Sequence, residues 1–115
     1  MSTRDYSDSQ EKYISKALSG HDGEAKVQPN SGGTKFGGGD VHTDNVLIEA
    51  KICTREQINF GIRKSWIDKA KEQAFSQRKS HFALAFSYGD PKENYYVIDE
   101  ATFKLVLDTI GEIYG

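Results

Sequence analysis

The feature that most constrains this chain is a strand–helix–strand unit spanning roughly residues 46 to 87. "NVLIEAKI" (45–52) and "HFALAFSY" (81–88) are short apolar runs. The second is almost continuous, as expected of a strand covered on both faces. Between them Ile62, Trp66, Ala70 and Ala74 recur every four residues, which predicts a helix over about 57–79. "TREQ" reads as its capping box, with Thr54 at the cap and Gln57 three residues on. Two strands joined by such a helix suit a right-handed parallel crossover.

The flanking segments complete a mixed sheet. Residues 1–6 read as a flexible N-terminus. Ser7 or Asp8 then caps a helix that turns Tyr13, Ile14, Ala17 and Leu18 inward and stops at Gly20. "EAKVQ" (24–28) suits an edge strand. The Gly-rich segment 29–39 is loop, and no Gly-Lys-Ser/Thr closes it into a phosphate-binding P-loop. "DVHT" and "NVLIEAKI" are two strands joined at Asp44-Asn45. "GDPKEN" is a turn, "YYVI" a strand, and Asp99 caps a last helix with Phe103, Val106, Leu107 and Ile110 inward. The expected architecture is a single α/β domain over 1–115, a mixed β-sheet flanked by helices.

Composition narrows the function. The chain has 115 residues, 28% of them charged and 37% hydrophobic, a globular balance. Its N-terminus has no apolar run to serve as a secretory signal, and no stretch is long enough to span a membrane. Cys53 is the only cysteine, so an intrachain disulfide is excluded and a Cys/His zinc site is not expected. These point to a reducing, cytoplasmic setting. The net charge is −2, but it is polarised. Residues 51–79 carry eight bases against three acids, and residues 88–115 carry six acids against two bases. Such a basic segment is either a solvated helix face or a phosphate-binding surface.

The hairpin carries the chemistry. A two-residue turn at Asp44-Asn45, with positive φ tolerated at both, sets Thr43 opposite Val46, His42 opposite Leu47, Val41 opposite Ile48 and Asp40 opposite Glu49. Lys51, two residues beyond Glu49, shares that face, while Val41, Ile48, Ala50 and Ile52 turn to the core. Two carboxylates so close repel unless a cation joins them, and hard divalent ions such as Mg²⁺ take oxygen ligands of this kind. The alternative is a cross-strand salt bridge on a solvated face. A second Glu-Ala-Lys at 24–26 lacks both an apolar lead-in and an upstream acid, so it reads as solvated surface.

At these residues the sequence resembles the PD-(D/E)XK nuclease superfamily, with its restriction-endonuclease-like fold. Asp40 matches the first acid, Glu49-Ala50-Lys51 matches the (D/E)XK element, and Gly39 stands where the eponymous proline would be. Within the superfamily it is most similar to small Holliday-junction resolvases of archaeal and phage type. A helix with an acid (Glu11), a Ser-Gly loop and the acidic hairpin follow in that order. The resemblance implies Mg²⁺-dependent (or Mn²⁺-dependent) hydrolysis of phosphodiester bonds in branched or duplex DNA, in recombination. Asp40, Glu49, the Ala50 carbonyl and Glu11 would hold the metal, and Lys51 would position the attacking water.

Ser31, Lys35, Arg55, Arg63, Lys64, Lys71, Gln73 and Arg78 would face DNA, with Lys64, Lys71 and Arg78 recurring every seven residues as one stripe. Gln73 is similar to a glutamine some members carry on this helix. The two-fold symmetry of a junction implies a homodimer, with Phe36 and Phe60 as contact residues. Localisation would be cytoplasmic, in the host for a phage-encoded chain. His42 is read as a hydrogen-bonded strand histidine, and Trp66, Phe75, Tyr95 and Tyr96 as core. The rival readings are a nicking or mismatch-type endonuclease, a non-catalytic DNA-binding domain, and an α/β domain unrelated to nucleic acid.

Overall fold

The computed structural model describes residues 3–28, 40–54 and 57–115. Ser31, Lys35, Phe36 and Arg55 lie outside them, as does the Gly-rich loop. In chain order the elements are α1 (Thr3–Leu18), β1 (Lys26–Val27), β2 (Asp40–His42), β3 (Val46–Ile52), α2 (Lys64–Ser76), β4 (His81–Ser87), β5 (Tyr95–Val97) and α3 (Glu100–Tyr114). The strands form one five-stranded sheet in sequential order. β3 and β4 are parallel, and the other neighbours are antiparallel. The chain is thus α/β with a mixed sheet and three helices.

Each sheet face has its own cover. On one, Ile14 of α1 packs with Ala25, Val41, Ile48, Ala50, Ala83 and Ala85, flanked by Leu18, Val46 and Ile98. The alanines on β3 and β4 leave room for a helix to lie close. On the other, Ala70 and Ala74 of α2 meet Leu47 and Phe82, with Ile67 beside them. Alternation along β3 splits Leu47 from Ile48, as a period of two requires.

α1 begins at Thr3, ahead of the expected cap at Ser7 or Asp8, and takes in part of the segment read as flexible. Its buried line runs through Gln10, Glu11 and Ile14, while Tyr13 and Ala17 are exposed. The fully buried Gln10 is satisfied: its Nε2 donates to the Lys51 carbonyl (2.8 Å) and to Asn94 Oδ1 (2.9 Å).

The hairpin has the expected register, Asp40 opposite Glu49, Val41 opposite Ile48 and His42 opposite Leu47. Asp44 and Asn45 form the expected two-residue turn, with Thr43 N–H donating to Val46 O at 3.0 Å, but neither takes positive φ; among the described residues Arg78 is the non-glycine residue that does. Asp22 holds the turn from outside. Its Oδ2 accepts from Thr43 Oγ1 (2.7 Å) and the Asn45 N–H (2.8 Å), and its Oδ1 accepts from Asn45 Nδ2 (2.8 Å). Those bonds hold the Asp22 carboxyl below its ordinary range. Gly23, at φ +71, sits in the left-handed region that favours glycine, and a Cβ there would also have to displace the exposed Asp44 carboxylate. From the far side Lys79 Nζ donates to the carbonyls of Thr43 (2.7 Å) and Asp44 (3.2 Å).

α2 starts at Lys64, several residues later than the sequence suggests, and the "TREQ" capping box is not used. The chain after β3 instead keeps bonding to the end of β4, with Cys53 N–H to Ser87 O and Gln57 N–H to Tyr88 O. Gly61 and the docking of Phe60 on Phe86 then delay the helix, and Ile62 lies before it. α2 closes in a Schellman motif: Lys79 N–H donates to Ala74 O and Arg78 N–H to Phe75 O. Arg78 occupies its left-handed position, at φ +59, where glycine is the usual residue.

The last helix departs furthest from expectation. Asp99 caps it, accepting from the Thr102 N–H at 2.9 Å, as the sequence suggests. Yet none of its residues is buried, and Phe103, Val106, Leu107 and Ile110 are 40–49% exposed rather than turned inward. Phe75, Tyr95 and Tyr96, also read as core, are exposed.

The Arg78 geometry yields a stability prediction. Arg78→Gly should raise the unfolding free energy by roughly 0.5–1 kcal/mol, because glycine occupies the left-handed region without the Cβ penalty. Urea titration followed by circular dichroism measures it; an unchanged or lower midpoint contradicts it.

Candidate functional site

The hairpin delivers two acids to the α2 face of the sheet. Asp40 is 9% exposed and Glu49 3%. They are directly opposed across β2 and β3 and hydrogen-bonded to one another. Burial first, then the bond to and the charge of Asp40, push the Glu49 carboxyl up to about 8. Lys51 and Lys69 act in the opposite direction without cancelling this. The Lys51 ammonium lies 3.7 Å from Glu49 Oε2, too far for a hydrogen bond. The first Glu-Ala-Lys differs as expected, with Glu24 and Lys26 both exposed around a buried Ala25.

α2 roofs this site. The Trp66 ring lies 4.9 Å from Lys51 Nζ, and the Arg63 guanidinium 5.8 Å from the same ring. Cation–π attraction of this kind holds an ammonium whose carboxylate partner is mostly neutral. Phe60, Phe86, Tyr88 and Tyr95 continue the aromatic wall, with ring centroids 5.3–6.1 Å apart. Phe60, half-buried, thus has aromatic partners within its own chain. Helical spacing sets Lys69 and Gln73 on the line that begins at Trp66. Gln73 Oε1 is buried and accepts no hydrogen bond among the described residues.

Asp40, Glu49 and Lys51 come together, and Ala50, between the latter two, is buried in the sheet. Glu11 is also buried, yet among the described residues no three His, Cys, Asp or Glu side chains group as a metal ion would need. Lys64 and Lys71, seven residues apart, share a face of α2, while Arg78 lies beyond the helix. Lys64 pairs with Asp68 at 3.0 Å, and Lys71 acts electrostatically on Asp99. His42 is half-buried and its imidazole is held low, first by burial and then by Lys79 and Lys26. Cys53 is half-buried and burial pushes its thiol up, which does not favour a nucleophile.

Three contributors escaped sequence reasoning. Lys69 is the α2 lysine felt by Glu49, Trp66 covers Lys51, and Gln10 grips the Lys51 carbonyl from beneath the sheet. Trp66 and Lys69 were legible in principle, because α2 must run back along β3 and spacing of three or four residues repeats along it. Gln10 carried no signal, since a polar residue on an N-terminal helix reads as surface.

The site therefore brings together two buried, opposed carboxyls, with the Lys51 ammonium beside them. No family model, curated protein or solved structure matches the chain in comparison with known proteins.

The acid pair makes stability depend on pH. The Glu49 carboxyl is raised from 4.5 to about 8 on folding, so the folded state binds its proton more tightly. That stability is fully present below 4.5 and is lost as pH rises through about 8. Without divalent cations, the thermal midpoint should fall across this window, and Glu49→Gln should flatten the fall. Scanning calorimetry of both proteins checks this; equal slopes would refute the shared-proton pair.

Proposed function

We propose that the chain is a metal-dependent endonuclease on a restriction-endonuclease-like fold, hydrolysing DNA phosphodiester bonds as a structure-selective, Holliday-junction-type resolvase. The observation that carries this reading is the buried Asp40–Glu49 pair, in register, with Lys51 beside it under Trp66. The mixed sheet, an antiparallel hairpin feeding a parallel crossover, supports it.

Asp40, Glu49 and the Ala50 carbonyl would hold Mg²⁺ or Mn²⁺, and Gln73 lies on the helix line above them. The bound ion would supply Lewis acidity at the scissile phosphate and compensate both carboxylates. Lys51 orients the attacking water and offsets negative charge on the phosphate. The new bond joins the water oxygen to phosphorus as the bond to the leaving deoxyribose oxygen breaks, and that oxygen takes up a proton. Trp66 keeps Lys51 in place and excludes bulk water from its inner side. Gln10 fixes the strand that carries it. Arg63 and Lys69 extend the positive field over the same face and suit phosphates on either side of the cut. A two-fold junction requires paired cuts, and a chain with one acidic hairpin supplies them as a homodimer.

Lys51→Ala should reduce Mg²⁺-dependent cleavage of a four-way junction by on the order of 10²–10⁴-fold while leaving junction affinity intact. Near-normal turnover would remove Lys51 from the mechanism. In calorimetric titration Asp40→Asn and Glu49→Gln should each abolish Mg²⁺ binding, and Glu24→Gln should be silent. Cutting a linear duplex as fast as a junction of the same sequence would instead favour a nicking-type enzyme.

A further inference from the structure

α3 is the one helix that contributes to neither apolar cluster among the described residues. Leu105, 49% exposed, lies on the opposite side; the other exposed large apolar residues are not scattered. Phe103, Val106, Leu107, Ile110, Ile113 and Tyr114 recur at intervals of three, one, three, three and one, which is a single helical stripe. They are 40–83% exposed. Lys104, Asp108 and Glu112 lie on the other side. Soluble monomers rarely leave so continuous an apolar patch open to water.

We infer that α3 is a self-association surface and that a second copy of this chain covers it, stripe on stripe about a two-fold axis. The stripe is self-complementary. In an antiparallel crossing centred near residue 108, Phe103 meets the partner's Ile113 and Val106 meets the partner's Ile110. The Lys104 turn then comes beside the acidic turn at Glu112, and opposed helix dipoles offset each other. Covering the stripe removes roughly 400–500 Å² per copy, so the pair approaches the ~1,000 Å² total that a specific interface needs. The acids on the polar face disfavour nucleic acid and an anionic bilayer as occupants, since surface-seeking helices carry Lys and Arg there.

The place of α3 in the fold agrees. His81 Nδ1 lies 3.1 Å from Thr102 Oγ1, tying the first turn of α3 to the start of β4. In the parallel register that start lies beside Val46, at the end of β3 away from Lys51, which pairs with Phe86. The first turn of α3 therefore sits at the turn end of the hairpin, away from Lys51. This choice of a second copy rests in part on the need for paired cuts.

The test is sedimentation velocity of the full chain, without metal or DNA, from micromolar to hundreds of micromolar. The expected mass is twice 12.9 kDa. Val106→Asp combined with Ile110→Asp should return it to one chain mass with an unchanged circular dichroism spectrum. Ile113→Lys with Tyr114→Ser, in the last turn, should weaken association at least tenfold should the first variant misfold. Asp108→Asn should remain dimeric. A monomeric wild type at every concentration overturns the inference, as does a dimer that survives both stripe variants, or a monomer that binds phosphatidylcholine vesicles. Junction cleavage is scored separately: an α3 dimer that cuts no DNA sinks the nuclease reading alone, and a wild-type monomer that cuts sinks the α3 inference alone.

Discussion

Everything at the candidate site depends on the pairing register of β2 against β3. A slip of one residue would send Asp40 to the face of Val41 and bring an apolar side chain opposite Glu49. β2 is only three residues long, so its own ladder is a weak guarantee. The guarantee comes from the turn. Asp22 ligates it through three side-chain hydrogen bonds, and Lys79 ties its carbonyls to the chain leaving α2. The hydrophobic pattern adds a second lock, because Val41 and Ile48 must both reach Ile14 of α1.

With register fixed, the sheet holds an arrangement that opposes folding. Two carboxylates are taken out of water side by side, and one of them keeps its proton through neutral pH. Such a pair is a poor source of stability, and well-packed apolar residues would serve that purpose better. The surrounding groups limit the cost rather than remove it. Trp66 shelters Lys51, Gln10 satisfies a strand carbonyl from the opposite face, and the aromatic wall seals the end of the sheet. The site is electrostatically strained and sterically well braced.

Much of this was legible in the sequence because it follows from a period of two. The alternation in "DVHTDNVLIEAK" about a two-residue turn at Asp44-Asn45 sets Asp40 against Glu49, and the register stood because that turn formed, braced by Asp22. The crossover was legible from "HFALAFSY", which can only be a covered strand. Non-local competition was not legible. The Thr54 cap lost to hydrogen bonds that Cys53 and Gln57 make to β4, and Phe60 was claimed by aromatic neighbours. The stripe of α3 was read correctly as a stripe, but periodicity reports that a face is apolar and says nothing of what covers it. Phe75, Tyr95 and Tyr96 show the same limit at single positions.

Trp66 has one more property. It is the only tryptophan in the chain, and its ring stands 4.9 Å from the Lys51 ammonium. Indole emission responds to a nearby positive charge and to the polarity around the ring. Any event that draws Lys51 away, or neutralises the acids beneath it, is therefore written into the intrinsic fluorescence of the protein. The molecule carries its own optical gauge beside its buried acid pair, with no label to attach and no second indole to subtract.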